Sequence, residues 1–190
     1  MKRGSDRPSS SVLAALVLFV AAAAGCRSAG PWGYAPQYTP TSDEQSASTG
    51  TREYDPVMYA REPEAWRKSR SALFGIVTGR APGPGGAAYL TVSVRKLAQR
   101  NLCTNANDED SCRVTVSDRN FGIVHVLAAL RPDDDMGEHS VGVGSLVRTI
   151  GTFGEDLDPA DGGPVMRASF YRHWPRYFYV TQASADLMRQ

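Results

Sequence analysis

The densest run of chemically capable side chains lies near the carboxyl end, Phe170-Tyr171-Arg172-His173-Trp174-Pro175-Arg176-Tyr177-Phe178-Tyr179. Aromatic rings interleaved with guanidinium groups stack on bases or sugars while pairing with phosphate, and the same two residue types anchor protein interfaces. Tyr171, Arg172, His173, Trp174, Arg176, Tyr177 and Tyr179 are therefore the candidate contact surface. The competing account is structural: alternate rings fill the interior while Arg172 and Arg176 stay solvated.

Catalysis finds less support. His125, His139 and His173 are far apart in the chain, and His125 sits in an apolar stretch where a satisfied core histidine is the commoner outcome. Asp118 follows Ser117, but no GxSxG elbow presents a nucleophile. Gly142-Val143-Gly144-Ser145 falls short of both phosphate-loop and dinucleotide patterns. No catalytic residue, cofactor or metal is assigned, and the chain reads as a binder rather than an enzyme. Asp156, Asp158 and Asp161 precede Gly162-Gly163, and Asn105, Asn107 and Asp110 crowd another loop, yet the EF-hand spacing and its closing Glu are missing. Calcium stays open only as a test, since a bound ion would make the melting temperature fall on chelation.

The elements that must position these residues are mostly strands. At 72–80 the chain is rich in β-formers and ends in the turn Pro82-Gly83-Pro84-Gly85-Gly86. Leu90, Val92 and Val94 alternate with Thr91, Ser93 and Arg95, and Val114 and Val116 with Arg113, Thr115 and Ser117, the period of half-buried strands. These two segments are expected to form a long hairpin. The run 121–130 is apolar on both faces, so strand and helix stay open, with its β-branched half favouring strand. Asp133-Asp134-Asp135 reads as a solvated connection. The stretch 141–153 is strongly β with bends at its glycines, and 165–180 supplies a last strand pair broken at Pro175. Upstream, Glu62-Pro63-Glu64-Ala65-Trp66-Arg67-Lys68 starts a short helix, proline in the first turn and acids before bases. Residues 27–55 are rich in Gly, Pro, Ser, Thr and Gln without a repeating apolar face, and read as a flexible tether.

The amino end sets the compartment. Lys2, Arg3 and Arg7 precede an apolar run, 12–24, too short to cross a bilayer, which closes on Ala23-Ala24-Gly25-Cys26. This ending resembles the lipobox of bacterial lipoproteins, with Ala23 standing where leucine is commonest. The resemblance implies cleavage before Cys26, fatty acylation of that cysteine, and a durable anchor because such lipoproteins carry more than one chain (palmitate among them). Arg27 rather than Asp after the cysteine resembles lipoproteins sorted to the outer membrane. With Cys26 consumed, Cys103 and Cys112 remain as an even pair, and an oxidising compartment lets them close the polar loop between them. The chain of 190 residues carries a formal +1, of which the leader contributes +2, so the mature chain stands near −1. A polyanion-binding domain would be strongly basic. An envelope protein or glycan partner therefore fits better than nucleic acid.

The strand order, ending in Gly144-Ser145-Leu146-Val147-Arg148-Thr149-Ile150-Gly151, looks like an OB-fold over 72–181. Slp-type outer-membrane lipoproteins are similar in layout. The sequence thus implies a mainly β protein with a signal peptide at 1–25, a lipidated tether at 26–55, a helical lead-in at 56–71, a small antiparallel OB-like barrel at 72–182 and a tail at 183–190. Its expected place is the periplasmic face of the outer membrane, bound through Cys26.

Overall fold

A computed structural model describes residues 38, 40–98, 114–181 and 183. The leader, Cys26 and the Cys103 and Cys112 pair lie outside the described residues, as does the tail beyond residue 183. Among the described residues no helix is long and apolar enough to cross a membrane.

The chain is mainly β. Helix α1 (Ser42–Ser48), strand β1 (Arg52–Glu53) and helices α2 (Pro56–Arg61) and α3 (Pro63–Arg67) precede the long strand β2 (Arg70–Pro82). Then follow β3 (Ala88–Arg95), β4 (Val114–Val116), β5 (Ile123–Ala128), the single turn α4 (Pro132–Asp135), β6 (Leu146–Leu157), β7 (Pro164–Trp174) and β8 (Tyr179–Thr181). The main sheet runs β1-β2-β3-β5-β7-β6, and β6 pairs back onto β2, closing five strands into a barrel. Every pairing in the ring is antiparallel except β5 with β7. Numbered from β2, the ring reads 1-2-3-5-4, an OB-like barrel built by five strands that leave no open edge.

Two glycines let the ring close. A Cβ on Gly75 would lie 2.3 Å from Val92 Cγ1, and one on Gly151 only 2.1 Å from the Arg167 carbonyl oxygen. At Gly151 the β6–β7 register slips by one residue, the bulge that bends both strands around the corner.

Alternation along the strands sorts side chains into two clusters. Inside the barrel lie Leu73, Leu90, Val92, Val124, Val126, Val147 and Met166. Tyr54, Tyr59, Trp66 and Phe153 belong to the same cluster and bring α2 and α3 onto it, with Tyr59 and Phe153 ring centroids 4.9 Å apart. Asp55 holds α2 in place by accepting from Val57 N and Met58 N, with Pro56 preset for the first turn. The opposite faces of the same strands carry Phe74, Leu146 and Trp174 into a second cluster, covered by Val114 and Val116 and by Tyr38.

Several elements differ from the sequence reading. Val114 and Val116 are not the main hairpin partner of Leu90, Val92 and Val94. Strand β3 pairs with β5, while β4 joins β8 in a parallel two-stranded sheet. Among the described residues the two segments meet just beyond β3, through Ala98 N to Thr115 O at 2.9 Å and Ser117 N to Lys96 O at 2.8 Å. Burial decides this, because Val114 and Val116 find apolar cover against Trp174 and Leu146 outside the barrel. The tether reading through residue 55 also differs: α1 is helical and its Glu44 is 1% exposed. Asp134 is buried rather than solvated. The ambiguous run 121–130 contains strand β5.

Candidate functional site

The aromatic and basic strip from Phe170 to Tyr179 is the end of β7, a turn, and the start of β8. Proline lacks the N–H that a further ladder step needs, so β7 stops at Trp174 and the chain turns, with Phe178 N donating to Pro175 O at 3.0 Å. The two-residue period then splits the strip.

Tyr171 and His173 face α4. The Tyr171 hydroxyl donates to Asp134 Oδ2 at 2.6 Å and accepts from Arg131 N at 2.7 Å. Burial pushes the Tyr171 phenol up. Burial also pushes the Asp134 carboxyl up, but hydrogen bonds from Tyr171 and Arg131 outweigh it and hold the group below the usual carboxylate range. His173 Nε2 lies 2.8 Å from the His139 carbonyl, which can only accept, so this nitrogen carries the proton. Its Nδ1 is 3.6 Å from Asp134 Oδ1.

Arg172 and Trp174 face the other way. Trp174 is 3% exposed, packed on Tyr38 and Phe74, with the Arg172 guanidinium 4.6 Å above its ring. Arg148 stands opposite Arg172 in the β6–β7 register and opposite Phe74 in the β2–β6 register. Two like charges on neighbouring strands require compensation. Glu44 of α1 supplies it, its carboxylate lying 3.3 Å from Arg172 NH1 and 3.5 Å from Arg148 Nε while accepting from the Tyr38 hydroxyl. Glu53 of β1 grips Arg148 in a two-pronged pair, with NH1 to Oε2 at 2.8 Å.

Arg176, Tyr177 and Tyr179 form the outer turn. Tyr179 donates to Gly144 O at 2.9 Å, Arg176 packs its stem against Gly144, and its guanidinium sits 5.1 Å over the Tyr177 ring. Tyr177 is 74% exposed and has φ +77°, the one non-glycine residue with positive φ among the described residues. A bulky side chain in that region costs about 1–3 kcal/mol of backbone strain.

Two clefts flank the turn. One, of 600 Å³, is walled by Arg172, His173, Trp174, Phe178 and α4 with Asp133 and Asp134. The other, of 410 Å³, is walled by Val143, Arg176, Tyr177 and Tyr179. Six of the seven strip residues line one or the other, and Tyr171 lines neither. Sequence reasoning missed Val143, which is 63% exposed, and Phe178 as a wall residue. Nothing in the local pattern marks Glu44 or Tyr38, which meet the strip across more than 120 residues.

A second constellation sits on the outer faces of β3 and β5. His125, 3% exposed, stacks on Tyr89 with centroids 5.3 Å apart, and its Nε2 lies 3.0 Å from Asp161 Oδ1. Tyr89 donates to Asp158 Oδ2 at 2.7 Å. His125, Asp158 and Asp161 place possible metal-ligating atoms within 4.8 Å of one another. Those oxygens are already engaged: Asp158 Oδ1 accepts from Ala160 N and Asp161 Oδ1 from Gly163 N, both at 2.8 Å. The Tyr89 hydrogen bond first, and then that of Ala160, hold the Asp158 carboxyl below its ordinary range, while Gly163 and His125 do so for Asp161. The cluster is a loop fastening. Asp156 stands apart, 3.3 Å from Arg167. The Ser117 hydroxyl serves backbone groups of Lys96 and Arg119, and Asp118 accepts from Ala183 N.

No family model matches the chain, and no curated protein matches it. Among solved structures it is similar to a deletion mutant of the single-stranded DNA binding protein from Thermus aquaticus, at 19% identity and a TM-score of 0.30. That alignment covers 55% of this chain and 49% of the other, so the chain matches about half the length of its neighbour. The OB-like description of the barrel rests on its strand pairing.

Proposed function

We propose that this chain is a lipid-anchored envelope protein, acylated at Cys26, whose OB-like barrel binds another envelope protein without catalysis. The observation that carries the reading is Tyr177, an aromatic ring held out to solvent at the cost of a left-handed backbone. Strain retained at an exposed ring, beside Arg176 and the exposed Val143, fits an interface anchor better than a packing role. The 600 Å³ cleft mixes Arg131 and Arg172 with Asp133 and Asp134, which suits a peptide surface of both signs.

An oligonucleotide is the weaker reading. OB barrels take single strands across the faces of their second and third strands. Here that face carries Asp158 and Asp161, and its two rings are stacked on each other. Carboxylates there repel phosphate, and the Tyr89 ring has one face taken by His125.

A photoreactive phenylalanine analogue at position 177 of the full chain, irradiated in cells, should give one discrete adduct with an envelope protein. The same analogue at Leu157, which is 53% exposed at the far end of β6, should give none. Labelled palmitate should enter the wild-type chain and not Cys26→Ala. Equal adducts at both positions, or a salt-sensitive complex with an oligonucleotide, would overturn the partner reading. An unlabelled wild type would overturn the anchor.

A further inference from the structure

A cleft of 370 Å³ opens at the end of the barrel where β3 runs out, bounded by Tyr54 and Pro56 on one side and Phe121 on the other. Its floor is apolar, with Leu73 and Val94 from the barrel interior and Leu97 beyond the strand end. Its rim holds Arg95, Lys96 and Arg148 against the single acid Glu53.

The charges of this rim are not evenly spent. Glu53 and Arg148 neutralise each other through their two-pronged pair. Arg95 donates from NH1 to a neutral acceptor, the Asp118 carbonyl, while its buried Nε has no hydrogen-bond partner. Lys96 places its ammonium 4.8 Å over the Phe121 ring and has no carboxylate within ion-pair distance among the described residues. Two cations thus stand above a hydrocarbon floor with no counter-charge among the described residues. The opposite end of the barrel lacks this arrangement, because Arg80 there is taken up by Asp135 and by Val141 O.

We propose that this cleft binds a small amphiphilic anion. Its carboxylate or sulfonate head meets Arg95 and Lys96, and its hydrocarbon body lies over Leu73, Val94 and Leu97. Hydrogen bonds from a guanidinium or an ammonium to such a head are charge-assisted, and bonds of that kind are the strong ones. The volume falls within the range of about 300–1,000 Å³ typical of small-molecule sites. This inference stands independently of the partner surface and of the membrane anchor.

The test is photolabelling of the full chain, in a non-ionic detergent, with a diazirine-bearing dodecanoate. Label should map to peptides containing residues 94–97 or 121, and excess dodecanoate should compete while dodecanol and dodecyltrimethylammonium do not. Lys96→Gln, whose ammonium makes only a ring contact, leaves the fold intact and should weaken dodecanoate competition about tenfold, the loss expected for one charge-assisted bond. Leu97→Trp fills the floor and should abolish site-specific label, with circular dichroism checking that the fold, in which Leu97 also packs on the second cluster, is retained. Label spread over the surface, competition by the cation or the alcohol as strong as by dodecanoate, or an unaltered Lys96→Gln chain would each overturn the proposal.

Discussion

The two outer flanks of the barrel solve the same problem, buried charge, in opposite ways. On the β3–β5 flank, His125 is enclosed by Asp158 and Asp161 from one tight loop, which also fastens its own backbone through Ala160 and Gly163. On the β6–β7 flank, Arg148 and Arg172 are enclosed by Glu44 and Glu53, which arrive from an amino-terminal segment 95 or more residues away. In the first closure both acids come from one loop that fastens its own backbone, and only His125 comes from elsewhere. The second ties α1 to the barrel chiefly by charge, since Glu44 is the one buried residue of α1, whereas β1 is held as well by its parallel pairing with β2. A helix of seven mostly polar residues has little else to hold it.

The comparison breaks most visibly at Glu44. Glu44→Ala takes one of two carboxylates from a buried arginine pair, and losing one partner of a buried ion pair costs about 3–5 kcal/mol; with Glu53 still on Arg148, about 3 kcal/mol is expected. Denaturant melts of wild type and variant measure it, and amide exchange in α1 should rise in the variant alone. A loss under about 0.5 kcal/mol, the scale of an ordinary surface substitution, would show that α1 is held by packing instead. His125→Ala should cost less, about 2 kcal/mol, because Tyr89 keeps its bond to Asp158 and the loop keeps its backbone bonds. If it costs more than Glu44→Ala, the local closure is the weaker of the two and the contrast is reversed.

Acid sharpens the contrast further. Asp134, Asp158 and Asp161 have carboxyl pKa values lowered in the folded chain, so each contributes stability present above the ordinary range near about 4 and lost as pH falls through the folded value. Thermal melts should therefore be flat with respect to these groups from pH 7 to 5 and drop below about pH 4, with the slope reduced in Asp158→Asn. An unchanged slope in that variant would remove the loop carboxylate from the account. The smallest effect is expected at the turn: Tyr177→Gly relieves the positive φ and should leave stability equal or raised by up to about 1 kcal/mol. A photoreactive group at the neighbouring Val143 should then lose its partner adduct. Loss of stability instead would make Tyr177 a packing residue.

Much of the barrel was readable from the chain. Alternation at Leu90, Val92 and Val94 marked β3 and its inward face, Pro175 marked the end of β7, and the glycines of 142–151 marked a bend and a bulge. Each is a local property, a two-residue period or a missing N–H, and local properties survive without knowledge of the fold. The strip of Tyr171 to Tyr179 was legible as a concentration of rings and cations, but not its division, because the fate of each ring depends on what the opposite strand and α4 bring to it.

Sequence reading therefore established the strands, their inward residues, the breaks between them and the near-neutral charge that argues against a polyanion. It had no means to pair β4 with β8, to bring Glu44 to Arg148 and Arg172, or to gather His125 with Asp158 and Asp161. Those meetings join residues 33 to 128 positions apart, and nothing in a short window encodes them. They follow from barrel closure, which places facing strands in one register and leaves each buried charge to the nearest carboxylate that the rest of the chain delivers.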